Sequence, residues 1–126
     1  MIVLNDESLV IDVFRRVFRK ILFSSLDESA GGAILFFLHE KLGRYPFEVF
    51  WENTRAVYHI MEEIFGAGTK VLINLILMSI NKWYNIDMSL EHFLDLISRG
   101  NKESIEEIRF FLRKIAESCG HGGYVK

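Results

Sequence analysis

The chain has 126 residues, half of them hydrophobic and a quarter charged, enough for one domain that buries roughly two thirds of its unfolded surface. Its 15 Lys and Arg against 17 Asp and Glu leave a formal charge of −2, without the basic excess a dedicated nucleic-acid binder uses against phosphates. A single cysteine, Cys119, excludes an intramolecular disulfide. The opening Met1-Ile2-Val3-Leu4 followed by Asn5-Asp6-Glu7 lacks the order of a signal peptide, so the expected compartment is the cytoplasm.

A first helix is predicted from about Glu7 to Ser24, with Val10, Val13, Phe14, Val17, Phe18, Ile21 and Leu22 forming an apolar band at helical spacing. The opposite face carries Arg15, Arg16, Arg19 and Lys20, two like-charge (i, i+4) pairs. Such pairs cost helix stability unless an acidic surface or anionic partner faces them. The face reads either as solvated or as a contact for an anionic membrane surface or acidic partner.

The second helix is expected over Ala30 to Leu42, with Asp27 or Ser29 as N-cap and Gly43 at its end. Gly31 and Gly32 in its first turns suggest that another backbone passes close by. After Tyr45-Pro46 stops that helix, a short helical turn should start at Pro46 and carry Phe47, Val49, Phe50 and Trp51. These rings either close one end of the core or form an exposed aromatic patch for a partner or pocket.

A fourth segment, capped by Asn53, reaches Phe65 with Val57, Ile60, Met61, Ile64 and Phe65 on one face. Gly66 to Lys70 then turns the chain. The glycines and Lys70 invite a phosphate reading, but the spacing is not that of a P-loop and a helix comes first, so a plain turn is the simpler reading.

Thr69 to Tyr84 is the stretch around which the chain is expected to be organised. Its apolar residues fall on every side of a helix, so burial nearly all round is predicted. The charge-free run from Val71 to Asn81 is about half the length a bilayer crossing needs. Asn74 in its middle needs a partner: an internal hydrogen bond, a ligand, or its own copy across a dimer interface, as a buried Asn specifies register in paired helices. Ser89 should cap a short helix ended by Gly100. The last helix, Lys102 to Ser118, carries Ser104 and Glu107 at capping-box spacing. Gly120 to Gly123 reads as a frayed tail.

No catalytic constellation emerges, and no cofactor or metal site is expected. His59 with Glu62 or Glu63 has ligand spacing on one helix face but no facing pair, His39-Glu40 point apart, and Cys119 with His121 supplies two ligands where structural zinc takes four.

The order ESAGGAILFFLHEKLG at Glu28 to Gly43, then MEEIFGAGTKVLINLIL at Met61 to Leu77, resembles the Nitrosopumilus output domain, a small helical archaeal domain associated with signalling. The resemblance rests on Ala30-Gly31-Gly32, on Leu38, Lys41 and Gly43 at the helix end, and on Ile64-Phe65-Gly66 before Gly68, within somewhat under half the chain. It implies an archaeal, cytoplasmic, non-enzymatic module that receives or transmits a signal.

The expected fold is therefore all-α: one domain over residues 1–126, a bundle of about six helices around Thr69 to Tyr84. The expected function is a protein-interaction or signalling output module, a homodimer, with Phe47, Phe50, Trp51, Asn74 and Trp83 as candidate contacts. The alternative is a small-molecule sensor with an apolar pocket between the central helix and the Phe47 to Trp51 aromatics. No nucleic-acid partner is expected, and contact of Arg15, Arg16, Arg19 and Lys20 with a membrane surface is a lesser possibility.

Overall fold

The computed structural model describes residues 6–119. Over them the chain forms α1 (Asp6–Ser25), α2 (Glu28–Leu42), α3 (Pro46–Glu52), α4 (Thr54–Phe65), α5 (Gly68–Tyr84), α6 (Leu90–Arg99) and α7 (Lys102–Ser118), with no strand among the described residues. The all-α fold is as expected, with the turn at Pro46 forming a helix of its own. The predicted frayed tail lies outside the described residues.

Local chemistry sets most boundaries. Asp27 accepts the Ala30 N–H at 2.7 Å, Asn53 that of Ala56 at 3.2 Å and Ser89 that of His92 at 3.1 Å, so each fills an orphan donor of the helix it opens. At α7 the cap is Asn101, whose side chain accepts the Ser104 N–H at 2.8 Å, and the expected Ser104–Glu107 box does not form. Ser104 is buried one turn in, where its hydroxyl donates to the Asn101 side chain at 2.6 Å, and Glu107 reaches across to His92 on α6.

The core gathers around α1. Val10, Val13, Phe14, Val17, Ile21 and Leu22 are buried there, and α1 packs on α2, α3, α5 and α7. From the other side α4 packs on α2, α3, α5 and α6, so α1 and α4 bracket the interior. The approach at Gly31 comes from α1: a Cβ there would lie 2.5 Å from Cδ1 of Phe23, whereas at Gly32 nothing lies within 4 Å. The neighbour is thus a side chain rather than the expected backbone, and it meets only one of the two glycines.

The expectation for Thr69 to Tyr84 needs correction. Along α5, Leu72, Ile73, Ile76, Leu77, Ile80 and Tyr84 are buried, but Val71 is 72 % and Met78 62 % exposed, and Asn74 and Leu75 are half-buried between them. A bundle this small has too much surface for its volume to enclose one helix completely. The apolar residues on the outer side of α5 therefore form a surface strip.

Candidate functional site

No group of three or more His, Cys, Asp or Glu able to hold a metal occurs among the described residues. His59 accepts a hydrogen bond from Nε of Arg55 at 3.2 Å, His39 stacks on Tyr45 at 5.1 Å between ring centroids, and His92 pairs with Glu107. Cys119 is buried at the end of α7, and His121 lies outside the described residues.

The α3 aromatics close the core. Phe47 packs edge-on against Phe14 and Phe18 with centroids 5.6 and 5.2 Å apart, and half-buried Phe50 stacks on Phe14 at 5.5 Å. Trp51 is 2 % exposed, with the guanidinium carbons of Arg109 and Arg113 4.8 and 5.3 Å from its ring centroid. Phe47 and Trp51 thus form no exposed patch, which corrects that reading of α3. Their burial depends on α1 and α7, and no local pattern announces it. Trp83 is half-buried with Nζ of Lys20 5.5 Å from its ring centroid.

The basic face of α1 contains its own counter-charge. Arg15 meets one oxygen of Asp12 at 2.6 Å, and Arg16 meets the other through Nε at 3.1 Å and Nη2 at 2.9 Å. The Arg15 hydrogen bond, aided by the charges of both arginines, holds the Asp12 carboxyl below the usual carboxylate range against a smaller opposing effect of burial. Arg19 lies 4.8 Å from the Phe23 ring centroid. The spacing Asp12-x-x-Arg15-Arg16 was the available signal for this clamp.

Within the core lies a cavity of about 60 Å³ walled by side chains of all seven helices, among them Phe14, Leu38, Phe47, Ile76, Phe93 and Phe111. Of the α3 aromatics, Phe47 and Phe50 border it and Trp51 does not. Tyr58 also borders it, its hydroxyl raised above the usual tyrosine range by burial and by the neighbouring Glu62 carboxylate. The cavity is well below the ~150 Å³ that admits benzene and far below the ~300–1,000 Å³ of ordinary ligand pockets.

Outside the core, four helices display large apolar side chains, singly at Leu9 on α1 and Phe110 on α7 and in pairs on α5 and α2. On α5 these are Val71 and Met78. On α2, where only Gly31 and Leu38 are buried, Phe36 is 59 % and Phe37 48 % exposed, their rings edge-on at 5.6 Å. Together with Glu40 and Lys41 of α2 and Glu63 and Ile64 of α4, these two rings line a groove between the helices. The run Ile34 to Leu38 contained these rings without indicating which of them face outward.

Comparison with protein-family models, with curated proteins and with solved structures finds no match to this chain.

Proposed function

We propose that the chain is a protein-interaction module that self-associates and serves as a signalling output. The observation that carries this reading is α2. A helix apolar on all sides is ordinarily buried, yet this one leaves Ala30, Ala33, Phe36 and Phe37 exposed. Adjacent exposed aromatics on such a face favour an interaction surface. The signalling part is supported by the resemblance over Glu28 to Leu77, which also suggests an archaeal, cytoplasmic and non-enzymatic protein. No helix among the described residues is long and apolar enough to cross a membrane.

A second reading, a sensor of small apolar molecules, is favoured by the cavity in the core. Size decides against it as the first choice, since only a ligand of a few heavy atoms fits without displacing core side chains. Native mass spectrometry of the purified chain separates the two. A dimer without added mass supports self-association, and mass that leaves on denaturation supports the sensor. A bare monomer at micromolar concentration counts against both.

A further inference from the structure

We propose that the core cavity is a binding site for one neutral, apolar molecule of about two to four heavy atoms, a dissolved gas or a short hydrocarbon. This rests on the sensor reading and names its class of ligand.

The wall fixes the chemistry of the occupant. Every side chain around the cavity is hydrocarbon except Met61, which adds a thioether sulfur, and Tyr58, whose hydroxyl is turned to the Glu62 carboxylate one turn further along α4. A buried water needs about two to four polar partners, so water gains no stable place here. A charged or hydrogen-bonding ligand would lose its hydration with nothing in return. An apolar molecule, by contrast, is driven out of water and gains dispersion contacts on every side.

Volume fixes its size. At about 15 Å³ for each water-sized atom, a cavity of about 60 Å³ takes roughly four such atoms. Benzene, which fits an apolar cavity of about 150 Å³, is too large. Entry has a route. Phe18, Phe50 and Phe93 are half-buried whereas the other residues of the wall are buried, so these three rings stand between the cavity and solvent. Rotation of such a ring opens a path without unfolding the bundle. Because all seven helices contribute to the wall, an occupant touches every element at once, and its binding stabilises the whole fold rather than one contact.

A ligand this small is best followed in solution, by NMR of the full chain carrying labelled Ile, Leu and Val methyls. Val57, Ile73, Ile76, Leu77 and Ile80 report on the wall, with Ile21 and Ile115, buried elsewhere in the core, and exposed Val71 as controls. Xenon under pressure should shift the wall methyls saturably and leave the controls without a saturating response. Ethane and dioxygen separate the two sources of ligand: saturation by either supports the proposal, and the tighter one names the source. Benzene should not bind. Val57→Ile adds a methyl to the wall and should raise the xenon dissociation constant about tenfold or more, with circular dichroism and thermal melting to establish that it folds. Ile76→Val removes a methyl and should extend the size limit by about one carbon in a series from ethane upward. Unchanged xenon binding in folded Val57→Ile, or an unchanged size limit in Ile76→Val, overturns the assignment to this cavity. Saturation by benzene without saturation by xenon, ethane or dioxygen overturns the ligand class while the sensor reading stands. No saturable shift with any of the four probes overturns both.

Discussion

Arg109 on α7 donates two hydrogen bonds, of 3.1 and 3.0 Å, to the main-chain carbonyl of Trp51 on α3, and its guanidinium lies against the indole ring of that same residue. The carbonyl is one of the last four of α3, which have no partner within their own helix. A residue 58 positions away therefore finishes α3 and covers its largest side chain. Replacing Arg109 with Ala should destabilise the fold by about 1.5–3 kcal/mol, the range for a hydrogen bond from a charged donor. Lysine should recover less than half of this, having no planar fork to bond twice while stacking. Urea denaturation checks both, and a lysine variant equal to wild type would show that charge alone matters here.

The two adjacent glycines of α2 should respond in opposite directions to alanine. At Gly32 there is room, so alanine should add about 0.5–1 kcal/mol through helix propensity. At Gly31 the same methyl would lie 2.5 and 2.8 Å from two ring carbons of Phe23. The ring must move, at a cost of about 1–3 kcal/mol for overpacking, which exceeds the propensity gain. Thermal melts of the two variants should therefore shift in opposite directions, and two increases would mean that Phe23 moves aside freely.

Two buried threonines provide a similar contrast. The Thr69 hydroxyl donates to the Met61 carbonyl at 3.0 Å and ties the start of α5 to α4. The Thr54 hydroxyl is equally buried and has no hydrogen-bond partner among the described residues. Valine keeps the shape of threonine and removes the hydroxyl. Thr69→Val should cost about 1 kcal/mol, and Thr54→Val should be neutral or gain up to about 2 kcal/mol by ending an uncompensated desolvation. A clear loss at Thr54 in denaturant unfolding would contradict that account.

These cases show which parts of the molecule were legible in sequence. Asp27, Asn53 and Ser89 could be identified as caps because a cap acts on a backbone N–H two or three residues away. Asn101 and Ser104 both fit the local chemistry at α7, and burial of Ser104 decides between them. Long-range partners left no such trace. Burial of Trp51 depends on Arg109 and Arg113, and the exposed strip of α5 is the side that none of the helices packed on it covers. The candidate surface was hardest to read for the same reason: an apolar residue on α2 looks identical in sequence whether it faces Phe23 or solvent. Burial of Phe47 and of one side of α5 in the same core was legible, since both segments carry too many apolar residues to leave outside it.

The carboxylates predict how stability depends on pH. The Arg15 hydrogen bond is the main cause lowering Asp12, and the Arg44 hydrogen bond is the main cause lowering Glu52. A carboxyl whose folded pKa lies below its unfolded one binds fewer protons in the folded state, so its contribution is present above the unfolded value, about pH 4, and is lost as pH falls through the folded value. The thermal midpoint should therefore hold between about pH 7 and 5 with respect to these groups and fall below about pH 4. Asp12→Asn and Glu52→Gln should each reduce that acid loss. Because both pairs are largely exposed, molar salt should reduce it as well. Tyr58 has the opposite sign: burial first, then Glu62, raises its hydroxyl, so the neutral form is favoured in the folded state and stability declines as pH rises beyond about 10. Tyr58→Phe should flatten this alkaline decline and leave the acid side unchanged. Midpoints measured from pH 3 to 11 at low and high salt test both limbs, and an acid loss unchanged in the Asp12→Asn, Glu52→Gln double variant would place its origin in other groups.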